Sequence, residues 1–179
     1  MMSGTLVHRA KAHQTTICEL IRNPKLYDQQ GYMTVADVVN FTKLSDLPKL
    51  VEMLGSSDEG YRYWGVIGCI KLGKEAATPE VFKIMEKLIK TDVKDERTLD
   101  VRVTAALYLC QIEHKKDEAL RSLAEVITTA SDSSAAKGRA WANVFLLGSD
   151  AKGIVGILKS MKVDKKDQDT LSLFQSRLE

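Results

Sequence analysis

Three arginine-centred segments recur along the chain, and an internal period of about 40 residues restricts the fold more than any single motif. The segments are Tyr61-Arg62-Tyr63-Trp64-Gly65-Val66, Val101-Arg102-Val103-Thr104-Ala105-Ala106 and Gly138-Arg139-Ala140-Trp141-Ala142-Asn143. Superposing their arginines gives spacings of 40 and 37 residues. Each segment follows a shorter stretch whose apolar residues fall at i, i+3, i+4 and i+7, the signature of one helix face. These stretches are Leu47, Leu50, Val51, Leu54, then Val81, Ile84, Met85, Leu88, then Leu120, Leu123, Ala124, Ile127. Every unit is therefore predicted to be a helix, a turn and a second helix.

Local punctuation supports that division. Ser45-Asp46 and Thr78-Pro79-Glu80 open the first helices, because a side-chain oxygen satisfies an orphan N–H and proline loses nothing in a first turn. Gly55-Ser56-Ser57-Asp58 and Ser131-Asp132-Ser133-Ser134 are turns that end in caps, while Gly73 and Gly148 are expected to end second helices in a left-handed conformation. The middle second helix carries Val101, Ala105, Leu109 and Ile112 on one side and Val103, Leu107 and Cys110 on the other. A helix apolar on both sides needs cover on both, which stacked units provide. A divergent fourth unit runs from Asp150 to Leu178, its polar character suiting a terminal cap. With only 3 Pro and 11 Gly in 179 residues, the composition also favours helix.

The Val101-Arg102-x-x-Ala105-Ala106 pattern, with Asp58 or Asp100 upstream of the arginine, resembles the HEAT repeat over roughly residues 45 to 160. The fold this implies is all-α, a right-handed α-α superhelix: a short HEAT-like solenoid of about three to four helix pairs. Its units lie near residues 45–73, 79–114, 117–148 and 150–178, after a helical lead-in over 1–44. More narrowly, Leu47 to Gly68, with Arg62-Tyr63-Trp64-Gly65, resembles the helical C-terminal region that follows the catalytic domain of some bacterial sulfatases. His8-Arg9 and the Pro24 to Tyr27 turn are loosely similar to the linker before that region. Sulfatase chemistry does not carry over: Cys18 has Arg22 at i+4, but Leu20 stands where that family has proline.

No catalytic, metal or cofactor constellation emerges, so a non-catalytic module without a cofactor is expected. His8, His13 and His114 lack zincin spacing, and Gly65 and Gly68 read as packing glycines, not a phosphate cradle. Asp58-Glu59 and Asp117-Glu118 suit helix starts. Cys18, Cys69 and Cys110 lie in apolar helical contexts and fit buried thiols in a reducing compartment. A net charge of +2 and a mixed-charge Lys159 to Lys166 stretch argue against nucleic acid. No apolar stretch approaches the ~18 residues of a membrane span. A cytoplasmic location is expected for the chain as given, and a periplasmic or secreted one if it belongs to a sulfatase.

Two readings of the arginines stay open: a basic ladder for anionic groups, or a structural ladder in which each bonds the Asp or helix ends of an adjacent unit. Trp64 and Trp141 occupy the position of Thr104, which with Gln111 marks a polar stripe of the middle second helix. With Tyr63 or Phe145 they either form an aromatic strip for a peptide, a partner helix or a sugar ring, or fill gaps between units. The candidate partner-facing set is Arg62, Tyr63, Trp64, Arg102, Thr104, Gln111, Arg139 and Trp141. The first reading of function is a scaffold that grips a protein. The second is a detached accessory region of a sulfatase-type hydrolase. A weaker third is a HEAT-like DNA glycosylase or bilin lyase, for which no basic groove with a catalytic acid is found.

Overall fold

The computed structural model describes residues 42–92 and 96–178, together with Gly31, Met33, Asp37, Val39 and Asn40. The chain divides into two compact units, residues 1–41 and 42–179. The few described residues of the first are helical, and Cys18, His8, His13 and most of the expected lead-in lie outside the described residues.

The described residues of the second unit form eight α-helices and no strand. They are α1 (Leu47–Leu54), α2 (Glu59–Leu72), α3 (Pro79–Leu88), α4 (Glu96–Gln111), α5 (Lys116–Thr129), α6 (Ala135–Leu147), α7 (Ile154–Ser160) and α8 (Lys165–Ser176). Helices α1 and α2, α3 and α4, and α5 and α6 pack as consecutive pairs. The second members also pack in series, α2 on α4 and α4 on α6, while α4 meets α5 and α5 meets α7. Among the described residues no helix is long and apolar enough to cross a membrane.

Capping chemistry sets several boundaries. Thr78 accepts from the Val81 N–H at 3.3 Å, with Pro79 in the first turn of α3. Asp58 accepts from Gly60 and Tyr61 at the start of α2, and Asp164 from Asp167 at the start of α8. Two expected caps differ. The Asp46 carboxylate accepts from Lys43, closing the 3-10 turn before α1, and Ser134 makes no side-chain cap bond. Gly73 and Gly148 do end α2 and α6 at positive φ, but with ψ of −127° and −125°, outside the left-handed helical well. Both then lead into a 3-10 turn, Gly73–Ala76 and Gly148–Ala151.

The middle unit turns at Glu113, also at positive φ, 59°. Aligning Gly73, Glu113 and Gly148 gives spacings of 40 and 35 residues and corrects the arginine superposition in the third unit by two. In this register Arg62, Arg102 and Lys137 are equivalent, as are Trp64, Thr104 and Arg139. Burial agrees: Gly65, Ala105 and Ala140 are buried together, and Lys71, Gln111 and Leu146 are exposed together, whereas Ala142 is exposed. The cause of the mismatch is chemical. Lys137 does in the third unit what arginine does in the other two.

Close approach of α1 and α2 depends on Gly65 and Gly68. A Cβ at Gly65 would stand 3.1 Å from Leu54 N and 3.2 Å from Leu50 O, and one at Gly68 would stand 2.4 Å from Leu50 Cδ2. The core is continuous from Leu50 and Leu54 through Val66, Met85 and Leu109 to Leu123, Ile127, Val144, Ile154 and Phe174. Every residue from Val101 to Cys110 is buried, as a helix covered on both sides must be.

Candidate functional site

The second-helix row has one stripe on each helix that reaches solvent. On α6 it is Ala135, Gly138, Ala142 and Leu146, all exposed. On α4 it runs Asp100, Thr104, Leu107, Gln111 at helical spacing, its ends reaching solvent. On α2 it passes through Tyr63, Trp64, Ile67 and Lys71, of which Lys71 is exposed and the others half-buried.

Across this face runs a cluster drawn from three helices. Tyr63 and Trp64 of α2 meet edge to face, centroids 5.7 Å apart. The Arg139 guanidinium of α6 lies 5.7 Å from the Tyr63 ring centroid and 3.1 Å from Asp100 Oδ1 of α4. Burial pushes the Tyr63 hydroxyl's pKa up, with Arg139 opposing and Asp100 adding to the shift. Trp, Tyr and Arg are the residue types that carry most binding energy in protein interfaces, and all three meet in this cluster. Comparison with family models, curated proteins and solved structures found no match to this chain. The site is therefore read from its own geometry.

Three of the expected partner-facing residues are enclosed instead. Arg102 is 4 % exposed, donating from Nε to Ser122 Oγ at 2.8 Å and reaching Thr91 O and the Glu125 carboxylate. It ties the end of the first helix of its own unit to α5, while Arg62 donates to Ser56 O in the turn before α2. Thr104, 3 % exposed, donates its hydroxyl to Asp100 O within its own helix, so it supplies no polar stripe. Trp141 is 8 % exposed and donates its indole N–H to Asp167 Oδ1 at 2.8 Å. Its ring neighbours Phe145, which packs edge-on against Phe174 of α8. The tryptophans thus serve different neighbours. Gln111 is exposed at the far end of the α4 stripe.

Sequence reasoning missed Lys137 and its partners. The buried Lys137 ammonium lies 2.7 Å from Asp132 and Asp167 and 3.4 Å from Asp164. Carboxylate oxygens of these three aspartates lie within 4.8 Å of one another, as around a bound cation, and the ammonium supplies that charge. Burial works to lower the Lys137 pKa, but Asp132 and Asp167 outweigh it and hold it above the usual lysine range. The Asp167 backbone N–H, with Lys137, holds Asp164 below the usual carboxylate range. In the sequence Asp164 stands only within a mixed-charge stretch; the lysine that Asp164 and Asp167 meet lies 27 and 30 residues upstream.

The remaining candidates make packing and pairing contacts. His114 stacks on Phe82 at 3.8 Å and pairs with Glu86 at 2.8 Å, while Lys115 takes the other Glu86 oxygen. Cys69 and Cys110 are buried free thiols, each pushed up to about 12 by burial.

Proposed function

We propose that this chain is a non-catalytic, HEAT-like solenoid that binds a protein partner through the solvent-reaching face of its second helices. The observation that carries the reading is the convergence of Tyr63, Trp64, Asp100 and Arg139 from three consecutive second helices. A stacked array creates a surface of this kind without chemistry, since each unit contributes one stripe to a common face. Leu146, 68 % exposed, extends the face with an apolar side chain that nothing in the fold requires to be there.

The test compares proteins retained from a native lysate by the wild type, by Leu146→Asp, by Trp64→Ala and by Lys83→Glu, whose residue lies exposed on α3. A protein retained by the wild type and Lys83→Glu, and lost with both face variants, supports the reading. Retention indifferent to Leu146 and Trp64 moves the interface elsewhere, and retention of nothing refutes it.

A further inference from the structure

Thr104 poses a geometric problem. It lies on the α4 stripe between Asp100, whose side chain is 37 % exposed, and exposed Gln111, yet it is 3 % exposed; Leu107, one turn on, is 7 % exposed. Something from the flanking helices covers the middle of this stripe. The equivalent positions beside Thr104 are Trp64 on α2 and Arg139 on α6. Arg139 meets Asp100 one turn before Thr104 and also approaches the Tyr63 ring, so its guanidinium links α6 to both α4 and α2. Helices α2 and α6 each pack on α4, and the Arg139–Tyr63 contact joins them over it.

We infer that Arg139 is a strap closing a cleft whose floor is Thr104 and Leu107 and whose walls are α2 and α6. The floor has no need of polar contact from outside, because Thr104 satisfies its hydroxyl on Asp100 O. The strap is held by two weak contacts: an ion pair whose side chains are 19 % and 37 % exposed, in which the shielded Asp100 Oδ1 receives no directed hydrogen bond, and a cation over a ring. Such contacts open under salt or under competition from another carboxylate, whereas the packing of α4 on its neighbours does not. Opening widens the face proposed above for a partner and adds an apolar floor to it. That purpose rests on the proposed function, but the closure is testable without any partner, so the two ideas fail separately.

The experiment places a reporter on the floor. Thr104→Cys is exposed to a maleimide, and its labelling rate is read by peptide mass spectrometry, with and without Arg139→Met. Removal of the strap is expected to speed labelling at position 104 about tenfold, the factor equivalent to roughly 1.4 kcal/mol. Sodium chloride at about 1 M should speed it in the protein that keeps Arg139 and not in Arg139→Met. Rates at buried Cys69 and Cys110 should not change. Equal rates at position 104 with and without the strap overturn the inference, as does acceleration shared by Cys69 and Cys110, which marks general loosening. Should Thr104→Cys fail to fold, Leu107→Cys reports on the same floor with the same expected outcomes.

Discussion

Replacing Gly68 with alanine tests the packing of the first pair most directly, because two opposed effects have known sizes. In an unobstructed helix the change gains about 1 kcal/mol, since glycine loses more backbone freedom on folding than alanine. Here the new methyl would lie 2.4 Å from Leu50 Cδ2 and 2.9 Å from Cδ1. Carbon atoms rest at about 3.5–4.0 Å, so the end of Leu50 must retreat by more than about 1 Å. Leu50 is fully buried, so the end of its side chain cannot move out into solvent and must shift within the core. Overpacking of this kind costs about 1–3 kcal/mol, enough to cancel or exceed the propensity gain. The expected net effect is a destabilisation of about 1 kcal/mol, read as a lower urea midpoint by circular dichroism. Gly138→Ala is the matched control: it too lies inside a helix, but its Cβ meets nothing within 4 Å. It should stabilise by about 0.5–1 kcal/mol. If Gly68→Ala stabilises as much as Gly138→Ala, then the close contact between α1 and α2 does not constrain this position, and the argument fails.

Gly73→Ala and Gly148→Ala should each destabilise by about 1–3 kcal/mol in urea titrations although their Cβ atoms meet nothing, because the backbone there suits only glycine. At Glu113 the reverse change to glycine should be neutral or stabilise by up to about 1 kcal/mol. Lys137→Met should cost about 3–5 kcal/mol in the same assay by leaving the buried Asp167 without its cation. Asp164, its pKa depressed, contributes stability that is present above the ordinary carboxylate pKa and lost as pH falls through the folded one. Acid titration of Asp164→Asn should therefore show a shallower loss of stability below about pH 4 than the wild type, and an equally steep one would contradict the assignment. In the folded protein Cys69 and Cys110 should react with a thiol reagent only as fast as the chain unfolds, and prompt reaction at neutral pH would refute their burial.

Helices were legible where the information is local. Thr78-Pro79 and Asp58 act within one turn, and the apolar spacing of Val81, Met85, Leu120 and Ile127 describes a face that needs no knowledge of its partner. The doubly apolar α4 likewise announced its two-sided burial. What failed was equivalence between units. Arginine was matched with arginine, whereas the recurring requirement is a cation that binds the turn before each second helix, and lysine meets it in the third. The backbone reversal at Gly73, Glu113 and Gly148 was the better ruler, but glutamate at positive φ is invisible in a sequence. The candidate site suffered more. Whether Trp141 faces a partner or the core is decided by Asp167, 26 residues away on another helix. Contacts of that range are properties of the assembled fold.

The clasp around Lys137 has a consequence for how the last helix is seated. Helix α8 is joined to the rest by an apolar seam at Leu171 and Phe174 and by a charged knot at its first turn, where Asp164 and Asp167 meet Lys137 and Trp141. Loss of the Lys137 ammonium strips both aspartates of their charge partner at once and leaves the buried Asp167 with the Trp141 N–H but no cation. The seating of the first turn of α8 thus turns on one lysine of α6, 30 residues before Asp167 in the chain.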